Sequence, residues 1–384
     1  MPHHIIVVGA GIAGLSTALA LRHAGHDVQV IEGRAETDAG TGAGISIWPN
    51  ALAALDVLGL GGDVRAAGGR VSAGAVRWHD GRWLRRPAPD RIVRALGEPL
   101  VVIHRRALTD ILAAALPAGS VRHDCTAAQL EVGPDVVRVA LADGAVVSAD
   151  AVVGADGVDS MVARHLNGTL AKRYAGYTAW RGIAEYALDP ELAGETMGPG
   201  LEVGHVPLGA RQTYWFATQR APRGATSAGG ELAHLQNVFG GWPEPIPALL
   251  AATDPAAVLR NDLYDRARAD RWAQGRVVIV GDAAHPMRPH LGQGGCQGLE
   301  DAAILAALTA GGADLSAAFT RFAAVRRRRV RALVGEARTI GQIVNLRPAL
   351  LSAVASRASA LVPERMLARH LASIAGRSAF VLPG

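Results

Sequence analysis

The chain has 384 residues, 49% of them hydrophobic and 19% charged, a balance that buries a core and excludes a disordered chain. At this length it suits two domains, or one large domain with an inserted layer. The formal charge of +5 comes almost wholly from arginine spread along the chain, so it argues compositional bias and no nucleic-acid partner.

Met1-Pro2-His3-His4 leads straight into an apolar run, with no basic region or signal core, and no later run reaches bilayer-spanning length. Cys125 and Cys296 form neither a disulfide framework nor a metal spacing. The expectation is a cytoplasmic protein with reduced thiols, no metal and no stable membrane association.

Ile5 to Glu32 predicts a complete βαβ unit: strand Ile5-Ile6-Val7-Val8, the glycines Gly9, Gly11 and Gly14, a helix to about Arg22, a turn at Gly25, and strand Val28-Gln29-Val30-Ile31. Gly9 permits the tight turn, Gly11 lets backbone reach a pyrophosphate, and Gly14 lets helix pack on strand. Glu32, at the end of the second strand, is placed to accept from ribose hydroxyls. Ile12, Ala13 and Gly33 flank these positions and join the expected cofactor site. Arg34 either stacks on adenine or stays at the surface. The unit predicts a dinucleotide and does not choose between NAD and FAD.

Val147 to Gly154 predicts a further strand, ending in Ala155-Asp156-Gly157. Between about Tyr177 and Arg271 the βαβ rhythm stops. Leu201 to Pro207 and Gln212 to Gln219 predict a β-hairpin around Leu208-Gly209-Ala210-Arg211, with another strand about Thr178 to Gly182. An inserted antiparallel sheet follows, with Val71 to Arg94 expected to join it. Arg276 to Val280 predicts a buried strand that delivers Gly281 and Asp282 to its carboxyl end, where open α/β sheets hold ligands. Pro286 and Pro289 fix the next loop, and Gly292, Gln293, Gly294 and Gly295 open a helix whose bare N–H groups suit an anionic edge. Three strand ends thus converge on one extended ligand. From about Ala317 the chain predicts covering helices broken at Pro348 and Pro363. The run Arg326-Arg327-Arg328-Arg329 with Arg331 is expected as a solvated helix face, the alternative being a route for anionic substrate or nicotinamide phosphate.

The ordered set of the Gly9–Glu32 unit, Ile103-His104-Arg105-Arg106-Ala107-Leu108, Gly154-Ala155-Asp156-Gly157 with Ser160 and Arg164, and Gly281-Asp282 through Gly295 resembles the group A FAD-dependent aromatic hydroxylases. These are the single-component flavoprotein monooxygenases, among them salicylate, hydroxybenzoate and urate hydroxylases and zeaxanthin epoxidases. The resemblance runs nearly end to end. It implies an α/β fold with a Rossmann-like FAD-binding domain and C-terminal helices (1–70, 99–176, 272–384) and an inserted antiparallel-sheet substrate domain (71–98, 177–271). It further implies that Gly9, Gly11 and Gly14 meet the FAD pyrophosphate, Glu32 the ribose, and Arg105 the diphosphate–ribityl region. Asp156 with Gly157 would hold FAD and touch NADPH or NADH transiently. Asp282 beside Gly281 would bind the ribityl chain or pyrophosphate, while Pro289 and Gly292 to Gly295 line the isoalloxazine. Gly42-Ala43-Gly44-Ile45 resembles the segment along the ring's other side. The implied chemistry has NAD(P)H reduce FAD, O₂ add at flavin C4a, and the hydroperoxide's distal oxygen pass to an aromatic substrate.

Strand alternation places Tyr214 and Phe216 on one face, opposite Trp215. That face is expected to look toward flavin and substrate, with Glu202 nearby, Arg181 as a candidate cation and Pro289 at the flavin loop; core filling is the plainer alternative. His290 is the candidate base for a ring hydroxyl, with Tyr214 assisting; His285 is expected to be structural and His205 is a weaker substrate candidate. An epoxidase or oxidative tailoring enzyme acting on an olefin or polyketide is the rival chemistry. A flavin-binding protein without turnover is the rival class. A monomer or homodimer fits either.

Overall fold

The computed structural model describes residues 2–36, 43–72 and 74–383. Among them, β-branched runs buried on both faces form a six-stranded sheet in the order Ala273–Gln274, Val277–Ile279, Ala151–Gly154, His4–Val8, Asp27–Ile31, Val121–Arg122. All pairings are parallel except that of Ala273–Gln274. The chain moves outward from His4–Val8 to Asp27–Ile31 on one side, and Ala151–Gly154 lies on the other. The carboxyl ends at Val8 and Gly154 therefore flank a topological switch point, where the crevice of such a sheet opens.

The strand expected over 147–154 is two strands. Val146–Ala149 belongs to a separate antiparallel sheet with Val137–Leu141 and Ala127–Val132, and only Ala151–Gly154 joins the parallel one. Asp150 marks the change of sheet: its carboxylate accepts from the His4 N–H at 2.8 Å.

A second large sheet runs in the order Leu259–Arg266, Lys172–Ala184, Gln212–Gln219, Leu201–Leu208, Gly194–Gly198, Ala75–Trp78, Trp83–Arg85. It is antiparallel except where Gly194–Gly198 meets Ala75–Trp78. The expected hairpin is present, joined at Leu208↔Gln212. Its long neighbour begins at Lys172, crossing the boundary expected at 177. Of the 71–94 segment, Ala75–Trp78 and Trp83–Arg85 join this sheet, whereas Pro89–Leu96 is a helix. Gly69–Val71 pairs instead with Leu100–His104, which also carries Gly44–Ile47.

One face of the second sheet is closed by its own core. Trp180, Val203, Trp215 and Ala217 pack with Leu235 and Phe239 of the helix Glu231–Phe239 and Leu249 of Ile246–Ala251. The other face is turned to the nucleotide-binding half.

The helix Leu315–Val344 corrects the expectation for the arginine run. Its buried stripe, Phe319, Phe322, Arg326, Val330, Leu333, follows helical periodicity, so Arg326 falls inside and is 1% exposed. Arg328 and Arg331 stay on the solvent side. The run is therefore not a uniform solvated face. Ala349–Ala358 and Glu364–Ala375 follow, separated at the expected prolines. No helix among the described residues is long and apolar enough to cross a membrane.

Candidate active site

Close glycine contacts bring the three strand ends together. Gly9 has φ +104, and a Cβ there would lie 2.6 Å from the Ala155 carbonyl oxygen, which joins the first strand end to the second. Gly281 has φ +57, and a Cβ there would lie 2.6 Å from the Ala13 Cβ, which joins the third to the first helix. Gly14 is tighter still within the fingerprint, since a Cβ there would lie 1.9 Å from the Gly9 carbonyl oxygen. Gly11 differs from both: nothing lies within 4 Å of the added carbon. It caps the helix Ile12–His23 with no side-chain bond, so the first N–H groups face open space, as an anion requires.

Glu32 accepts from the Ala10 N–H at 2.7 Å and the Arg34 N–H at 2.9 Å, which aims its carboxylate at the mouth of this loop. The Arg34 side chain is largely exposed, its Nε 3.5 Å from Glu32. Gly33 is set by packing, since a Cβ would meet Thr126 Oγ1 at 2.7 Å. Ile12 is buried in the core. Gly42 lies outside the described residues.

Arg105 and Arg106, adjacent in sequence, part company. Arg106 pairs with Asp110 at 3.6 Å on the outer surface. Arg105 opens a helix beside the crevice; desolvation lowers its pKa, and the charge of Asp282 opposes that shift. The pair of opposite charges thus faces the same space. Asp156 has partners within its own loop. Its carboxylate accepts from Ser160 Oγ at 2.5 Å and from the Met161 and Val162 N–H groups at 2.7 and 3.3 Å, so it is committed to the start of Met161–Asn167. Burial nonetheless raises its pKa against these bonds. Gly157 takes φ +76 in the turn between them.

The helix Gly294–Thr309 also begins without a side-chain cap. Gly292 takes φ +61 beneath Trp48, and Gly295 lies against Ile45, where a Cβ would approach Cδ1 to 2.8 Å. The strand Gly44–Ile47 therefore runs along the helix start. Gln293 points inward: its carbonyl accepts from Asn50 and Gln297 at 3.0 and 2.9 Å.

Beneath this helix lies a buried ion network that local motifs do not announce. Asp301 accepts from the Gly281 N–H at 2.9 Å, His285 Nε2 at 2.6 Å and Arg326 Nε at 2.6 Å. Glu300 accepts from Arg326, Arg329 and Asn50. Burial alone would raise both carboxyls, but His285 and Arg326 at Asp301, and Arg326 and Arg329 at Glu300, hold them below their ordinary values. His285 thus fastens the Asp282 turn to the helix. A second residue that local patterns miss, Arg266, donates to the carbonyls of Val158, Asp282 and Ala284 at 3.4, 3.2 and 3.2 Å and ties two strand-end loops together. Its partners lie 16 to 108 positions away, beyond any local pattern.

On the second sheet, register places Tyr214, Phe216, Glu202 and Arg181 on the face toward this crevice, and Trp215 and His205 on the other. Tyr214 packs directly on Gly44, where a Cβ would lie 2.4 Å from the ring. It is largely buried with Val102 and Leu208. Phe216 lies across Gly204, whose missing side chain leaves room for the ring. Glu202 accepts from Thr218 Oγ1 at 3.2 Å. His290, in the turn Pro289–Leu291, reaches this face. Its Nε2 lies 2.7 Å from Tyr177 Oη and its Nδ1 3.5 Å from Glu202 Oε2. Pro289 itself is exposed. Burial pushes the Tyr177 phenol far above its usual range. His205 is removed from the substrate candidates: it is sealed behind the sheet, with burial and then the charge of Arg77 pushing it down to about 4.

A family model described as an FAD binding domain matches residues 3–337. The chain is 39% identical over 341 residues to an aurachin C monooxygenase/isomerase of Stigmatella aurantiaca, covering 88% of this chain and 89% of that one. It is 40% identical over 309 residues to a 3-amino-4-hydroxybenzoate 2-monooxygenase of Streptomyces cremeus, covering 78% and 77%. Among solved structures, Klebsiella pneumoniae HpxO complexed with FAD and uric acid superposes with a TM-score of 0.89 at 30% identity, covering 97% of this chain and 96% of that one. Convergence of the three strand ends, the uncapped helix starts and these likenesses agree: the chain belongs to the FAD binding domain family and is an FAD-dependent monooxygenase.

Proposed function

We propose that the enzyme hydroxylates an aromatic or heteroaromatic small molecule, using NADPH or NADH and O₂. The observation that carries this reading is the meeting of two surfaces. The face bearing Tyr214, Phe216, Glu202 and Arg181 packs through Gly44 onto the strand that runs along the Gly294 helix start. The residues present fit FAD. The open space at Gly11 and the free N–H groups after it suit the pyrophosphate, Glu32 suits the ribose, and Arg105 with Asp282 suits the linking chain. The N-terminus at Gly294 suits a negatively charged ring edge. Bound FAD supplies electron storage and O₂ activation.

The protein's own share is orientation, exclusion of water and handling of one proton. Phe216 offers an aromatic surface for the substrate ring. His290 bridges Tyr177 Oη, 2.7 Å from its Nε2, and Glu202 Oε2, 3.5 Å from its Nδ1; the tautomer with the proton on Nδ1 takes the phenol as donor and points its own N–H toward Glu202. His290 therefore supports Glu202, and Glu202 is the better-placed acceptor for a ring hydroxyl proton. His290 acts as a positioning residue rather than as the base itself. The unpaired, buried Cys125 and Cys296 support a reducing, cytoplasmic setting.

A substrate panel scored by NADPH and NADH oxidation, with product mass, tests the reading. A phenolic product heavier by one oxygen is expected. An epoxide or rearranged ring would instead favour the tailoring chemistry, and no stimulated oxidation by any ring would leave a binding protein. His290→Gln should shift the pH profile of coupled hydroxylation while retaining FAD; an unchanged profile removes His290 from the proton path.

A further inference from the structure

Cross-strand register lines up one row on the crevice-facing side of the second sheet: Glu195, Gly204, Phe216, Arg181. Glu202 stands diagonally beside Glu195, across from Met197 and Thr218. Adjacent strands are ~4.8 Å apart, so the Glu195 and Arg181 backbones are separated by about 14 Å, with the Phe216 ring lying over Gly204 between them. The two ends are opposite in charge. Arg181 has no ion pair among the described residues, unlike Arg288, which is spent on Asp265 at 2.9 and 2.7 Å. Glu195 likewise has no hydrogen-bond partner among them and is half-buried. Burial, then the charge of Glu202, pushes Glu195 up to about 8.

Resting on the hydroxylase reading above, we infer that this row recognises a two-ended substrate: an aromatic ring over Phe216, an amino or ring N–H donor at Glu195 and Glu202, and a carboxylate or carbonyl acceptor at Arg181. Glu202 already has Thr218 and His290 beside it, whereas Glu195 has no hydrogen-bond partner among the described residues, and a donor nitrogen at its carboxyl oxygen supplies one. An unpaired guanidinium at the far end does the same for an acceptor group. A purely anionic ring without nitrogen satisfies one end only.

Three probe rings separate the ends: 3-amino-4-hydroxybenzoate, 4-hydroxybenzoate and 2-aminophenol. Dissociation constants come from perturbation of the bound FAD spectrum, and turnover from NADPH oxidation and product mass. The FAD-loaded enzyme should bind 3-amino-4-hydroxybenzoate about tenfold or more tightly than either single-ended ring, the scale of one hydrogen bond to a charged group. Glu195→Gln with Glu202→Gln should abolish the preference over 4-hydroxybenzoate. Arg181→Gln should weaken both carboxylated rings by about tenfold and leave 2-aminophenol unmoved. Full FAD content in each variant establishes that it folds. A wild-type enzyme that binds and oxidises these rings without preferring the amino group overturns the inference alone, as does a preference that survives both glutamate changes. Absence of binding by all three overturns the two-ended row, while stimulated oxidation by other rings would keep the hydroxylase reading; loss of stimulation by every ring tested overturns that reading too.

Discussion

The nucleotide end and the substrate sheet are built by opposite means. At the nucleotide end the shape is made by backbone: Gly9 and Gly14 let main chains touch, Gly281 admits the Ala13 methyl, and the helix starts leave N–H donors without side-chain caps. On the substrate sheet the shape is made by side chains in cross-strand rows, with Phe216 over Gly204 and His290 brought in from another domain segment. The first design tolerates almost no change in its glycines and serves any FAD enzyme of this fold. The second can be rewritten one side chain at a time, which is why the proposed function assigns substrate choice to it.

The comparison is broken most forcefully from beneath. The buried guanidinium of Arg326 joins Asp301, which holds the Gly281 turn, to Glu300. Arg326→Met would leave an uncompensated buried carboxylate and should cost about 3–5 kcal/mol in denaturant unfolding. Because Asp301 and Glu300 are held below their ordinary values, their contribution is present at neutral pH and is lost as pH falls through the folded-state values. In the variant those values rise, so acid unfolding should begin at a higher pH. A stability within about 1 kcal/mol of wild type, read on the ~1.4 kcal/mol scale of a tenfold change, would show that the network is dispensable.

Next in size is a split within the fingerprint. Gly14→Ala forces a methyl against the Gly9 carbonyl, so the apo-protein itself should lose about 1–3 kcal/mol, the range for overpacking. Gly11→Ala meets nothing in the protein. Its apo stability should be unchanged while FAD affinity falls at least about tenfold, the equivalent of ~1.4 kcal/mol. Calorimetry of the apo forms and FAD titration check both; equal losses of apo stability would erase the distinction between packing and ligand-approach glycines.

This split also explains what is legible in sequence. Gly9, Gly11, Gly14 and Glu32 lie within one βαβ unit, and the hairpin 201–219 announces itself by alternation and a short turn, so local spacing reveals them. A reading by charge puts Arg326 in solvent, whereas its place on the Phe319–Leu333 stripe, equally present in the sequence, puts it inside. The motif around Asp156 names the residue but not its local partners, the Ser160 hydroxyl and the N–H groups of the helix start. Arg266, Glu195 and the Tyr177–His290 contact depend on partners brought together by sheet register and domain packing, which no window of the chain encodes.

A third measurement sharpens the substrate side. Glu195 is raised to about 8 from 4.5, so the folded protein holds a proton that the unfolded chain releases. Stability from this group is complete below the unfolded value and declines as pH rises through the folded one. Glu195→Gln should therefore flatten the stability–pH curve between about 4.5 and about 8. A slope unaltered by the substitution would place the titration elsewhere.

The smallest expected effect tests the seam where the two designs meet. Tyr214 packs its ring on Gly44, while its hydroxyl lies within the fields of Arg181 and Arg105 and makes no hydrogen bond among the described residues. Tyr214→Phe keeps the ring and removes only the hydroxyl. If Tyr214 is simply core, stability and kinetics should both stay near wild type. If the hydroxyl meets substrate, stability should change by less than about 0.5 kcal/mol, as for a substitution that disturbs no packing. Substrate affinity or the coupling of NAD(P)H oxidation to hydroxylation should then fall by roughly three- to tenfold, the worth of one neutral hydrogen bond. The ring belongs to the packing between domains in either case, so only the kinetic half of the experiment decides whether the backbone-built half ends at Gly44 or whether Tyr214 carries it into the substrate site.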